Sequence, residues 1–140
     1  MSKENTDTDT VNRARKLMFR DYMMQKDLNG AGNVFGGVIL SIIDKVAAMR
    51  AHQFGGCWVT RAIGAMEFAE PVNVSDTVAG FVTGHAMGKT SLTLTVELEA
   101  TSPHGLVPRP VATAEVTMVH ILHGGKPTPH GISEEGADLG

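Results

Sequence analysis

From Val38 to Phe54 the chain carries neither proline nor glycine, and Val, Ile, Leu, Met and Ala dominate (VILSIIDKVAAMRAHQF). So long a run exceeds an ordinary strand and favours a helix. At about 100° per residue, Val38, Ile39, Ile42, Ile43, Val46, Ala47 and Met49 cover well over half of its circumference. Such a helix has little surface to offer water, so any fold open to this chain must wrap it. Asn33 offers an N-cap ahead of Phe35, Gly36 and Gly37, and Gly55-Gly56 offers the left-handed stop. The remaining polar sector holds Ser41, Asp44, Lys45 and His52. Asp44 is flanked by Leu40, Ala48 and Ala51, and the alanines leave room for a backbone or a ligand to approach its carboxylate. Taken alone it reads as a solvated helix-face acid, because Asp is seldom buried unless paired.

Strand patterns surround this helix. Lys16 to Met24 alternates Leu17, Phe19 and Met23 with Met18, Arg20 and Tyr22, and the glycine-containing loop Gln25 to Val34 follows. Four further strands are predicted over Cys57–Phe68, Thr77–Met87, Ser91–Ala100 and Val111–Leu122. In the third of these Leu92, Leu94, Val96 and Leu98 point one way and Thr93, Thr95, Glu97 and Glu99 the other, so one face is dry. Glu70-Pro71 to Asp76, Gly88-Lys89 and Ser102 to Gly105 supply turns. Strand, apolar helix, then four strands linked mainly by hairpins predicts an α+β domain over residues 15–123, a five-stranded antiparallel sheet wrapped around the helix. Residues 1–14 are expected to form a mobile arm, and residues 124–140, proline-containing and almost without apolar side chains, a tail ordered only if something holds it. One helix cannot cover every face and edge of such a sheet, so a dimer joined edge to edge, and a higher assembly, are expected.

With 140 residues the chain fits one domain with a real core. Its single cysteine, Cys57, can make no internal bridge, and no targeting or membrane-spanning run is evident, which predicts a cytoplasmic protein. A net charge of −3 and 5% aromatic residues argue against a nucleic-acid binder. His120 and His123 have HxxH spacing but no evident third ligand, so no metal is expected. Ser41 lacks a nucleophile elbow, and nothing near Cys57 marks a thiolate.

Asn29, Gly32, Phe35-Gly36-Gly37 and Asp44 follow in register a pattern of Asn, Gly, Phe-Gly-Gly or His-Gly-Gly, and an acid one and a half to two turns into the helix. Val59-Thr60, Met66-Glu67-Phe68 and Pro71-Val72 with Ser75-Asp76 extend the match, as does the hairpin Gly88-Lys89-Thr90-Ser91. Over roughly Leu17 to Leu122 the chain resembles the hot-dog-fold acyl-CoA thioesterases, bacterial short- and medium-chain acyl-CoA hydrolases related to the brain and brown-fat types. The resemblance implies hydrolysis of an acyl-CoA to a free acid and coenzyme A, with coenzyme A as part of the substrate and no separate cofactor. It also implies a homodimer, arranged as a trimer of dimers, with each active site shared by two protomers.

Under that resemblance Asp44 is the general base for water, or a nucleophile forming a transient anhydride, and Asn29 orients water or carbonyl. A thioester oxygen that becomes negative needs a donor aimed at it, and free backbone N–H groups at a helix start are such donors, each supplying about 3 kcal/mol. Gly37 N–H is the expected oxyanion contact, with Gly36 and Phe35 beside the substrate. General-base work near neutral pH asks for burial of the acid between subunits. For the nucleotide phosphates, Gly88, Lys89, Thr90 and Ser91 offer an amide-rich turn, a charge and hydroxyls, with Arg61 and Arg109 as further cations. Met49, Phe54, Met66 and Phe68 are candidates to line the acyl tunnel. Hot-dog dehydratases use a histidine ahead of the helix, where this chain has none. A non-catalytic acyl-CoA sensor is the other alternative, although no DNA-binding segment accompanies the domain.

Overall fold

The alternation of Leu92, Leu94, Val96 and Leu98 does set up a dry face, and those side chains are at most 1% exposed. The structure, a computed structural model, describes residues 15–133 except Leu106 and His123. Its elements are β1 (Lys16–Tyr22), a short 3-10 turn (Gln25–Asp27), α1 (Gly36–Gln53), β2 (Cys57–Phe68), β3 (Thr77–Met87), β4 (Ser91–Thr101) and β5 (Arg109–Ile121). The strands form one antiparallel sheet in the order β1-β3-β4-β5-β2. β4, the strand with the cleanest alternation, occupies its centre.

Helix α1 lies along the dry face and touches all five strands. Ile39, Ile42, Ile43, Val46, Ala47 and Ala51 are buried there, and each large aliphatic side chain contributes about 1.5–3 kcal/mol of burial. The close approach depends on Gly80 of β3, since a Cβ at that position would lie 2.5 Å from Val46 Cγ2. Arg50 is buried too, donating to Gln53 Oε1 and lying 4.3 Å from the centre of the Phe54 ring. Gly55 and Gly56, both with φ above +80°, end the helix as expected.

Three expectations are modified. Asn33 is not the N-cap: α1 starts at Gly36, and Phe35 holds the cap position without any side-chain cap. Asn33 instead exchanges hydrogen bonds with Asn29 and bridges to Asn73, which holds it two residues before the cap position. Second, the links expected to be mainly hairpins are so at β3–β4 and β4–β5, and the exception is the Glu70-Pro71 to Asp76 loop between β2 and β3. β2 forms the edge beside β5 while β3 lies between β1 and β4, so the loop joining them crosses the end of the sheet past the helix start. On the way Val72 O accepts Val34 N–H, and Met23 and the Ser75–Asp76 pair exchange backbone bonds. Third, the tail expected from residue 124 lies on the body as far as Ile132: Pro127 bridges to Ile121, Thr128 N–H donates to His120 O, and Ile132 packs against the core. Its few apolar groups and backbone donors find partners on the sheet end, which composition does not reveal. The arm predicted over residues 1–14 lies outside the described residues, as do 134–140. Among the described residues no helix is long and apolar enough to cross a membrane.

Candidate active site

The first turn of α1 has no side-chain cap, and among the described residues nothing accepts the N–H of Gly36 or Gly37. Both glycines are exposed. These are donors with the positive end of the helix dipole behind them. The Phe35 ring folds over Gly37, where a Cβ would be 2.5 Å from its Cε1. Hollows open on both sides of this turn. Beside Gly36 is one of about 310 Å³, lined by Val34, Ile39, Phe68, Val72 and Val111 among others. Beside Gly37 is one of about 360 Å³ that includes Phe35, Ser41, Lys26 and Lys45. Of the proposed tunnel residues, Phe68 reaches the first hollow, whereas Phe54 and Met66 pack on the core.

Asn29 stands in the loop leading to this turn. Its Oδ1 accepts the N–H groups of Ala31 and Asn33, at 2.9 and 3.1 Å. With the oxygen committed to the loop, what the exposed carboxamide can offer a ligand is its Nδ2 hydrogens. Asn29 can therefore donate to a carbonyl or to the oxygen of water, but it cannot readily accept.

Asp44 is half-buried two turns further on, about 10 Å along the axis from Gly37. Its Oδ1 accepts a hydrogen bond from Thr60 Oγ1 of β2 at 2.5 Å. Met118 Sδ is also within 3.4 Å of that hydroxyl, but a carboxylate is the stronger acceptor for its single proton. Thr60 thus fixes one carboxylate oxygen and leaves Oδ2 for chemistry. In the sequence Val59-Thr60 belongs to the family resemblance, and nothing local gives Thr60 a partner. The available signal was a polar side chain on a strand otherwise carrying Trp58 and Ile63 inward.

The hairpin Gly88–Ser91 lies at the opposite end of the sheet from the helix start, separated by the length of β4, roughly 30 Å or more at strand rise. Ser91 Oγ presses against Gly88, so a Cβ there would oblige the Ser91 hydroxyl to turn away. Lys89 is exposed. Arg61 sits at a register shift of β2 in a separate hollow with Val59, Val119 and Pro127. Among the described residues it makes no polar contact with Asp44 or the hairpin. Arg109 serves the scaffold: it pairs with the buried Asp76 and donates to Pro71 O, while Asp76 accepts Asn73 N–H. That cluster locks the crossing loop beneath the helix start. Among the described residues no group of His, Cys, Asp and Glu is placed to hold a metal.

An α+β chain whose five-stranded antiparallel sheet wraps one long helix is a hot-dog fold, and solved structures share it. The hexameric broad specificity acyl-coenzyme A thioesterase HI0827, solved as a mutant with an aspartate changed to alanine, matches with a TM-score of 0.79 and 26% identity over 88% of this chain and 95% of that one. The hexameric hotdog fold thioesterase Cj0915 of Campylobacter jejuni matches at 0.77 and 33% identity, over 89% and 95%. An uncharacterized acyl-CoA thioester hydrolase of Haemophilus influenzae is 32% identical over 99 residues, 70% of this chain and 64% of that protein. The matched stretch thus spans less than two thirds of that relative's length. The family model for the thioesterase superfamily matches residues 31–106, more than half of the chain. The chain belongs to the thioesterase superfamily.

Proposed function

We propose that this protein hydrolyses acyl-CoA thioesters to the free acid and coenzyme A, at a site shared by two copies of the chain. The observation that carries the reading is the pair of open glycine N–H groups at the uncapped start of α1, on the same helix as a carboxylate oriented by Thr60. Within one chain those groups are too far apart to act on one carbonyl. β2 is an open edge with Val59 and Phe68 exposed. Pairing it with β2 of a second copy about a two-fold axis runs the strands antiparallel. The helix-start end of one sheet then lies beside the hairpin end of the other. One copy's amide pocket thereby approaches its partner's acid, and its partner's hairpin comes within reach of the nucleotide end of the same substrate. Three such dimers make a hexamer, the assembly named for HI0827 and Cj0915. A lone Cys57, unable to bridge within the chain, suits a reducing cytoplasm.

In this reading the thioester oxygen points at Gly37 N–H, with Asn29 Nδ2 as a second donor. Water attacks the carbonyl carbon as Asp44 Oδ2 takes its proton. Collapse of the tetrahedral oxyanion breaks the C–S bond, and the proton passes from Asp44 to the departing thiolate. The apolar hollow beside Gly36 suits the acyl chain, and Lys89, Thr90 and Ser91 suit the nucleotide phosphates. Thiol release should be followed for Asp44→Ala over several acyl-CoAs. Turnover should nearly vanish while the oligomer persists; hydrolysis at the unmodified rate would remove Asp44 from the chemistry.

A further inference from the structure

The C-terminal segment has partners that the thioester chemistry leaves unused. Three consecutive carbonyls at the tip of the β3–β4 hairpin each accept a hydrogen bond, two from His130 of that segment and one from His120 at the end of β5. Gly88 O takes the His130 ring, Lys89 O takes His130 N–H at 3.2 Å, and Thr90 O takes His120 N–H at 2.8 Å. The His130 tautomer follows from its surroundings: Nδ1 accepts Ile132 N–H at 2.9 Å, so the proton sits on Nε2 and is donated to Gly88 O. The ring is held in place by Trp58, 5.6 Å away centre to centre. Trp58 also meets His120 edge-on at 5.2 Å, and His120 Nδ1 lies 2.9 Å from Thr128 O.

In a trans peptide the carbonyl and the following N–H point in opposite directions. Drawing Gly88 O and Lys89 O toward the C-terminal segment therefore turns Lys89 N–H and Thr90 N–H the other way. Among the described residues neither N–H has an acceptor. Were the carbonyls free to rotate outward, the same turn would present negative oxygen to an incoming phosphate.

We infer that His130 is a positioning residue for the nucleotide end of the substrate: its ring and backbone hold the hairpin carbonyls inward, so that the Lys89 and Thr90 amides face the coenzyme A phosphates. This rests on the reading of the hairpin given under Proposed function. His130→Ala should raise KM for acyl-CoA about tenfold, the equivalent of one hydrogen bond to a charged group. kcat should stay within about twofold, because the reacting carbonyl lies elsewhere. Toward an acyl N-acetylcysteamine thioester, which has no nucleotide, kcat/KM should not change. His130→Gln, which can still donate to Gly88 O, should recover most of the KM; His130→Asn, too short to reach, should not. If His130→Ala does not fold, the Gln and Asn pair decides.

An unchanged KM for acyl-CoA, equal KM values for the Gln and Asn variants, or parallel losses on both substrates would overturn the inference. Lys89→Ala, measured alongside, separates the two layers. If it raises KM for acyl-CoA alone while His130→Ala does not, the hairpin reading stands and the role of His130 falls. If Lys89→Ala leaves both substrates untouched, the hairpin reading falls and carries the inference with it.

Discussion

Gly37→Ala should separate stability from activity, because the added methyl acts on them in opposite directions. Alanine is favoured over glycine within a helix by at most about 1 kcal/mol, less in a first turn. Against this, the new Cβ would stand 2.5 Å from Phe35 Cε1, 3.1 Å from Cζ and 3.2 Å from Cδ1, so the ring must leave. Phe35 is 56% exposed and the clashing atoms are the far end of its side chain. Pushing it about 30° off its rotamer costs about 0.5–1.5 kcal/mol. The two effects nearly cancel, and the variant should unfold within about 1 kcal/mol of the parent, or about 5 °C in Tm. Gly36→Ala calibrates the helix contribution, since its Cβ would meet only Phe68 Cζ at 4.0 Å. Catalysis has no such cancellation. In the proposed mechanism the methyl and the displaced ring crowd the oxyanion donor, and full loss of one such donor lowers kcat about 100- to 1,000-fold. A fall of about tenfold to a hundredfold in kcat/KM is therefore expected. Urea denaturation at fixed protein concentration and thiol release on the same preparation measure both quantities. Parental hydrolysis by Gly37→Ala would mean that no thioester lies against this amide. A loss above about 2 kcal/mol would mean that the ring is not free to move.

Thr60→Val removes the 2.5 Å hydrogen bond to Asp44 while keeping the side-chain shape; kcat should fall about tenfold with KM unchanged, and Thr60→Ser should retain activity. No change in kcat would show that the acid needs no orientation from β2. Asp76→Ala leaves the Arg109 guanidinium without its carboxylate and Asn73 N–H without its acceptor. With Asp76 only 2% exposed, the expected cost in urea denaturation is about 3 kcal/mol, and a loss under about 1 kcal/mol would contradict the lock described for the crossing loop. Gly80→Ala drives a Cβ to 2.5 Å from Val46 Cγ2 and 3.1 Å from Leu98 Cδ2, which should destabilise by about 1–3 kcal/mol. Gly84→Ala on the same strand meets nothing nearer than 3.8 Å and should differ little by the same measurement.

Several features were legible because their causes are local. The helix followed from a long apolar run and its glycine stop, and β4 from a period of two that burial enforced side chain by side chain. The open glycines of the helix start were readable for the same reason, since a missing side chain is a property of the residue itself. The cap was misplaced because Asn33 had a competing use: its backbone is held by Asn29 and Asn73, and residue 73 meets it only after the chain has crossed the sheet. Arg109 shows the same limit. As sequence it is one cation among several, and only the fold brings Asp76 against it.

Thr60 and His130 gained their partners through tertiary structure alone. Asp44 and Thr60 are separated by 16 residues, and Gly88 and His130 by 42. No periodicity connects such positions, because strand pairing and helix packing, not spacing along the chain, decide which polar groups meet. Residue types and local spacing determined one helix, five strands and where an acid and open amides stand along them. The order of the strands in the sheet decided which end of the molecule each group occupies, since hydrogen-bonded neighbours in a sheet need not be neighbours in sequence.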